Sequence, residues 1–213
     1  MDETVKSRRY NSPLRREQAG RTRQRILDAA GELFVSRGYG TTSIRHIAEA
    51  AQVAPDTVYA TFGSKARLLT ALLDVRLAPT GETSVLDRPE IARLREEEDP
   101  RRFLRLFARD YAAMSERVRP VSEVLRTAKA VEPEMAAVRE EIEGYRYEYV
   151  RTIVQWLARR TKLRVPVERA AQIVWTLASP DVGRMLCDVQ GWTTAEYARW
   201  LEETLVAGLL PGR

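Results

Sequence analysis

The sequence has little of what most catalytic and metal sites require. Its 213 residues include one cysteine, Cys187, and one histidine, His46. An internal disulfide needs two cysteines, and a zinc site or histidine-based triad needs several ligating or catalytic side chains, so these arrangements are excluded. No nucleophile–base pair and no glycine-rich phosphate loop is visible, so we expect neither an enzyme nor a cofactor. Cys187 is interpreted as a small buried residue.

Long hydrophobic runs are also missing. Charged residues interrupt the apolar stretches, and the N-terminal segment is polar and rich in arginine. These features argue against a membrane-spanning helix and a secretory signal, so a cytoplasmic location is expected. The hydrophobic content of 44% is enough for a sizeable core, and it suits a small domain joined to a larger one.

Residues 41–69 contain two short helical patterns on either side of a tight turn. Apolar residues spaced by three and four from Ile44 to Ala51 form one stripe, and Thr42 is a candidate cap for this helix. Residues 52–54 form the connection. Pro55 can then occupy the first position of the next helix, where its missing N–H costs nothing. The arrangement predicts a helix-turn-helix whose second helix reads the major groove of DNA.

The stretch from Arg21 to Leu73 resembles the TetR family of bacterial transcriptional regulators. The resemblance rests on an amphipathic helix ending at Gly38-Tyr39, followed by Thr42, Ile47-Ala48, Val53, Tyr59, Phe62 and Ser64-Lys65. The sequence departs from the family at Gln52, where glycine is usual, at Ala54, where a serine cap is usual, and at Ala66-Arg67, where acidic residues are favoured. The first two departures put in question the geometry of the turn and the capping of the reading helix.

The resemblance also implies a set of DNA contacts. Tyr59 and Lys65 would clamp phosphates, with a packing aromatic and a plain exposed lysine as the alternatives. The base-reading positions hold small or acidic residues, which favours thymine methyls or cytosine amino groups, and Arg45 is the best candidate for a guanine contact. The DNA-binding residues expected in all are Arg21, Thr42, Arg45, Pro55, Asp56, Thr57, Tyr59, Ala60 and Lys65.

The basic excess lies immediately before this module. Residues 1–25 hold eight basic and three acidic residues, whereas the rest of the chain carries 27 of each, so the net charge of +5 is located at the N-terminus. Such a segment is typical of an arm that contacts phosphates or a minor groove, and the alternative is a solubilising tail. We expect a flexible arm over residues 1–16.

The whole chain is predicted to be all-α, with a DNA-binding domain over 17–64 and a helical regulatory and dimerisation domain over 65–213. Its first helix should run from about Glu17 to Arg37, and a connecting helix over 65–78 should act as the lever between the domains. Later helix starts are signalled by prolines and caps. They are expected at Pro89, Pro133, Pro166, Ser179-Pro180-Asp181 and Thr193 with Glu196.

An aromatic stripe at helical spacing is more often core than ligand site, but the resemblance implies an apolar pocket among the middle helices. An apolar or aromatic effector would suit such a lining, with charge selectivity from Arg109, Arg146 or Glu148. The pocket residues predicted are Phe103, Phe107, Tyr111, Met114, Leu125, Tyr145, Tyr149, Trp156 and Trp175.

The final helices fit two interpretations, a core within one subunit and an interface between subunits. The resemblance implies the second, with two helices from each subunit in a four-helix bundle and two reading heads facing successive major grooves. The interface residues predicted are Trp175, Val182, Met185, Leu186, Trp192, Tyr197, Trp200, Leu201 and Leu205.

The expected function is that of a dimeric transcriptional repressor that leaves a palindromic operator when a small molecule binds. The expected partners are therefore double-stranded DNA, a small-molecule effector and a second copy of the chain. The alternative is a DNA-binding regulator or nucleoid-type protein that needs no small molecule and uses its body only for dimerisation.

Overall fold

Helices joined by short turns make up the computed structural model, which describes residues 12–79, 81, 84–128 and 134–212. The described residues contain no β-strand, so the all-α prediction is confirmed. Over these same ranges, no helix combines the length and the apolar character needed to cross a membrane.

Three helices form the N-terminal head: α1 (Ser12–Arg37), α2 (Ile44–Ala50) and α3 (Pro55–Phe62). Gly38 follows the last residue of α1 and has a φ of +86°, which favours glycine. The Gly38 N–H donates to the Phe34 carbonyl at 3.0 Å. Helix α1 begins five residues before the predicted start at Glu17. Residues 12–16 are therefore helical rather than part of a flexible arm, whereas residues 1–11 lie outside the described part of the chain.

The remaining helices form the body. They are α4 (Lys65–Leu77), α5 (Pro89–Glu96), α6 (Pro100–Ala128), α7 (Glu134–Ala158), α8 (Val167–Leu177), α9 (Pro180–Gly183) and α10 (Thr194–Leu209), with a 3₁₀ turn at Val85–Asp87 and a π-helical segment at Arg184–Val189. The predicted helix start at Pro133 falls on a residue that is not described, and α7 is seen from Glu134 onward.

Several predicted caps are present. Ser179 Oγ accepts the Val182 N–H at 3.2 Å, which starts α9 as expected. Thr193 and Glu196 form the predicted capping box of α10, and the Thr193 N–H donates to the Glu196 carboxylate at 2.7 Å. These hydrogen bonds from Thr193 lower the pKa of Glu196.

Helix α6 is the centre of the body, because it packs against α1, α4, α7, α9 and α10. The helix continues through Pro120 without a break. Proline leaves one carbonyl of the preceding turn without its usual N–H partner. A Cβ at Gly183 would lie only 2.7 Å from Ser115 Oγ, so α9 meets α6 where a larger residue has no room.

A buried ion pair fastens the segment between α4 and α5 to this central helix. The Arg88 guanidinium donates to the Asp110 carboxylate at 2.5 Å, and the Arg88 side chain is 3% exposed. Burial raises the pKa of Asp110, and the attraction of Arg88 opposes that shift. Removing one partner would leave an uncompensated buried charge, so the pair holds residues 85–88 firmly against α6.

Candidate DNA-binding surface and ligand cavity

The turn between α2 and α3 keeps the geometry of a helix-turn-helix despite the two departures in its sequence. Gln52 takes the left-handed conformation, with φ of +54°, in place of the usual glycine. Ala54 stands at the N-cap of α3, where its side chain makes no capping hydrogen bond. The Val53 N–H donates to the Ala48 carbonyl at 2.9 Å and closes the turn. The turn is therefore formed with a strained residue and without a cap.

Most of the predicted DNA-contacting residues lie on the surface. Pro55, Asp56, Tyr59 and Ala60 are exposed on α3, where Tyr59 keeps 53% of its surface accessible, while Val58 and Phe62 are buried on the opposite side. Thr57 is half-buried. Arg45 is exposed on α2 and Arg21 on α1, where Arg21 pairs with Glu17 at 2.5 Å. The surface that a major groove would meet is thus small, polar and weakly charged.

Thr42 does not belong to this surface. Its side chain is 1% exposed, and its hydroxyl donates to the carbonyls of Gly38 at 2.8 Å and Leu33 at 3.2 Å. Thr42 therefore satisfies carbonyls at the end of α1, so the prediction that it caps α2 is wrong, whereas its contact with DNA stays a prediction. The cap is Ser43, which forms a capping box with His46. Serine one position later has the exposed geometry that a cap requires.

Lys65 is engaged within the protein. Its ammonium group lies 4.0 Å from the centre of the Tyr39 ring and donates to the Tyr39 carbonyl at 3.3 Å. The contact ties the first residue of α4 to the turn between α1 and α2. The Lys65 side chain is half-buried, so neither the phosphate clamp nor the plain exposed lysine describes this conformation.

A cavity of about 580 Å³ opens in the body between α4, α6 and α7. Leu73, Asp74 and Leu77 of α4 form one wall, and residues 84–86 and 179–181 close the ends. Of the predicted pocket residues, five line it: Tyr111, Met114, Leu125, Tyr145 and Tyr149. Burial raises the pKa of the Tyr111 and Tyr149 hydroxyls, which therefore stay neutral hydrogen-bonding groups.

Four predicted pocket residues lie elsewhere. Phe103 and Phe107 are fully buried in the core, two turns and one turn before Tyr111 on the same side of α6, and the Phe107 and Tyr111 rings are 5.9 Å apart. Trp156 packs against the Arg95 guanidinium at 4.7 Å, and Trp175 lies under the Arg146 guanidinium at 4.5 Å. Position along the helix explains the difference for the two phenylalanines: the lining of α6 begins at Tyr111 and continues through Ser115, Val118, Ser122 and Leu125, at spacings of three and four.

Charged side chains also line the cavity, and most are paired. Arg146 bonds Glu143 at 2.7 Å and donates to the carbonyls of Trp175 and Ala178 at the end of α8. Arg139 lies 3.7 Å from Asp181. Arg109, one of the three residues considered for charge selectivity, is exposed on α6 and does not line the cavity.

Two polar lining residues were missed by sequence reasoning. Ser115 is 3% exposed, and its hydroxyl has no hydrogen-bond partner among the described residues. Ser115 lies four residues after Tyr111, and this spacing could have indicated that both residues face the cavity. Asp74 stands on α4 at the cavity rim, where partial burial raises its pKa and Arg23 opposes the shift. For Asp74, the signal in the sequence was an acidic residue beside the leucines of α4.

The predicted interface residues divide into two groups. Tyr197, Leu201 and Leu205 are fully buried within the subunit, because α10 packs this face on α6, so they form core rather than a surface for a partner. Met185 is 48% exposed. The residues that remain half-buried are Trp175, Val182, Leu186, Trp192 and Trp200. Val189, which was not predicted, adds an apolar side chain that is 63% exposed, one helical turn from Met185.

Comparison with known proteins gives consistent matches. Residues 26–72 match the family model described as bacterial regulatory proteins, tetR family. The HTH-type transcriptional regulator TtgR of Pseudomonas putida is 29% identical over 197 residues, which span 83% of this chain and 90% of that relative.

Solved structures show the same fold. NalD, the secondary repressor of the MexAB-OprM multidrug efflux pump in Pseudomonas aeruginosa, aligns with a TM-score of 0.67 at 22% identity and covers 92% of this chain and 100% of its own. The transcriptional regulator FadR of Bacillus subtilis, solved in complex with stearoyl-CoA, aligns with a TM-score of 0.68 at 20% identity and covers 87% of this chain and 98% of its own.

Proposed function

Because this chain belongs to the TetR family of bacterial transcriptional regulators, we propose that it is a homodimeric repressor that a small apolar or aromatic ligand releases from a palindromic operator. The main observation that supports this proposal is the cavity next to α4. Helix α4 begins at Lys65, three residues after the reading helix α3 ends at Phe62, and it supplies one wall of the cavity. A ligand that moves α4 therefore moves the head.

The reading head would bind DNA through α3. Tyr59 and the exposed side of Thr57 are placed to reach the backbone, while Ala60 and Pro55 offer small apolar contacts to thymine methyl groups. Arg45 on α2 would supply the guanine contact. Arg21 would add a phosphate contact from α1, because its side chain is 75% exposed even while it pairs with Glu17.

The second subunit would pack on the C-terminal segment. Met185 and Val189 form an exposed apolar strip, and the rings of Trp192 and Trp200 lie nearby with their centres 6.3 Å apart. Exposed apolar side chains of this kind are typical of subunit interfaces. A two-fold axis here would present two α3 helices to successive major grooves, so the half-sites should lie about one turn apart or slightly more.

Release would follow from a difference in ligand affinity between two head spacings. The ligand shifts the equilibrium only as far as it prefers one state, and coupling of about 1–3 kcal/mol is typical. FadR was solved with stearoyl-CoA bound, and the long acyl chain of that ligand fits an apolar effector here. The cavity volume of about 580 Å³ suits a molecule of drug size.

Two experiments test the proposal. In-vitro selection from random duplex DNA should yield a palindrome with a defined half-site spacing, and enrichment without symmetry would contradict a dimeric repressor. Thermal shifts against a compound library should then find stabilising ligands that lower operator affinity at fixed salt. A ligand that fills the cavity and leaves operator affinity unchanged would support the regulator that needs no small molecule.

A further inference from the structure

We propose that the cavity selects an organic cation with an apolar body, and that Asp74 is the residue that recognises the positive charge. The proposal rests on the function above, since it names the chemical class of the effector. It starts from the charges that line the cavity, which comprise three arginines and four acids among the described residues.

One of these charged side chains has no oppositely charged group within ion-pair distance over the described ranges. Arg126 bonds Glu123 at 2.5 Å, Arg139 lies 3.7 Å from Asp181, and Arg146 bonds Glu143 at 2.7 Å. Glu148, the next acid, lies 3.5 Å from Arg151. Every cationic group of the lining is thus compensated by a carboxylate, so an anionic ligand would have to compete with an existing ion pair.

Asp74 is different, because it makes no ion pair within 4.0 Å in the described part of the chain. It lies in the last turn of α4, where the helix dipole disfavours a negative charge. The Asp74 side chain is exposed and lines the cavity, so a ligand can reach it. A ligand cation would supply the oppositely charged partner that the described residues do not.

The rest of the lining suits the body of such a molecule. The rings of Tyr111 and Tyr149 offer aromatic faces, and cations bind well over such faces. Met114, Val118 and Leu125 supply apolar surface. The Ser115 hydroxyl in the lining is buried and has no hydrogen-bond partner among the described residues. A neutral acceptor or donor on the ligand would form that missing hydrogen bond.

Asp74 is also attracted by a cation of the head. The charge of Arg23 of α1 opposes the rise in the pKa of Asp74, and the Arg23 guanidinium lies 5.1 Å from the centre of the Phe62 ring at the end of α3. A ligand cation at Asp74 would compete with this attraction.

The test compares three ligands of matched shape. They are 4-phenylbutyltrimethylammonium, its uncharged isostere with a tert-butyl head, and 4-phenylbutylsulfonate, each titrated into the full-length protein and followed by isothermal titration calorimetry. We expect the cation to bind about tenfold more tightly than the uncharged isostere, which corresponds to about 1.4 kcal/mol. Asp74→Asn should abolish that difference, and it should fold normally because the Asp74 side chain is exposed and forms no ion pair among the described residues.

Glu148→Gln is the matched control, because Glu148 also lines the cavity and already has a cationic neighbour; it should keep the preference for the cation. If the uncharged or anionic compound binds as tightly as the cation, or if Asp74→Asn keeps the preference, the proposal for a cation is overturned and the ligand-released repressor stands. If none of the three compounds binds, the cavity is not the effector site, and both proposals are overturned.

Discussion

Gln52 is the one non-glycine residue with a positive φ in the described part of the chain. Replacing it with glycine removes an unfavourable contact between Cβ and the backbone. We expect Gln52→Gly to raise the free energy of unfolding by about 1 kcal/mol, measured by chemical denaturation. Gln172→Gly is the control: Gln172 is exposed within α8, and glycine there should lower the same quantity by about 0.5–1 kcal/mol. Equal losses in both variants would contradict the strain at Gln52.

Ala54 leaves the first amides of the reading helix without a side-chain partner. Ala54→Ser should supply one and raise the free energy of unfolding by about 1 kcal/mol, provided that the head and body unfold together. Ser43→Ala tests the reverse change at the start of α2, where the serine accepts the His46 N–H, and should lower stability by a similar amount. No gain at position 54 would mean that Pro55 and Asp56 already satisfy this helix end.

Local signals predicted the residues whose role depends on near neighbours. The caps at Ser179 and Thr193 were found because a hydroxyl three positions before a donor is a property of the local chain. Thr42 was misassigned because its burial depends on how α1 packs against the turn, which periodicity does not contain. The contact of Lys65 with Tyr39 was not predicted for the same reason, since Tyr39 is 26 residues away.

Among the secondary-structure elements, α4 is held at its first residue by the contact between Lys65 and Tyr39. Lys65→Met keeps the length of the side chain but removes its charge and its hydrogen bond. We expect the free energy of unfolding to fall by about 1 kcal/mol. Lys162→Met alters an exposed lysine between α7 and α8 and should have no measurable effect. An equal change in both variants would show that Lys65 contributes nothing to holding α4.

A separate prediction concerns the affinity of helix α3 for DNA. Tyr59→Phe removes one exposed hydroxyl from α3 without changing charge. If that hydroxyl donates to a phosphate, operator affinity should fall about 2- to 10-fold on every sequence alike, with the order of preferred sequences unchanged. Tyr147→Phe, at a half-buried position of α7 outside the cavity lining, should leave DNA binding unaffected in a filter or anisotropy assay. A changed order of preference would make Tyr59 a base-reading residue.

Element boundaries were predicted well where proline, glycine or a cap marks them, and α3, α5 and α10 are examples. It was harder to predict which stretch of the middle helices lines the cavity. Phe103 and Tyr111 both belong to apolar positions of α6, and only the packing of α4 and α7 decides that Tyr111 faces a cavity and Phe103 faces the core. Similarly, α10 was expected to face a partner, but its buried side covers α6.

For the molecule as a whole, the dimer should depend on the strip formed by Met185 and Val189. Val189→Glu places a charge in that strip, so sedimentation should show a monomer, and operator affinity should fall at least about tenfold because two heads no longer bind together. Val35→Glu changes a valine that is 51% exposed on α1 and should leave the assembly intact. A dimer that survives Val189→Glu would place the interface elsewhere.

Ser115 stands between the cavity and the C-terminal segment. One side of it lines the cavity, and its Oγ would lie 2.7 Å from a Cβ at Gly183 of α9. Pro180 and Asp181 at the start of α9 line the same cavity, so a ligand there would touch α9 directly as well as Ser115. The segment that follows α9 carries Met185 and Val189. In the proposed dimer, a ligand would therefore act on the subunit interface through α9, as well as on the head through α4.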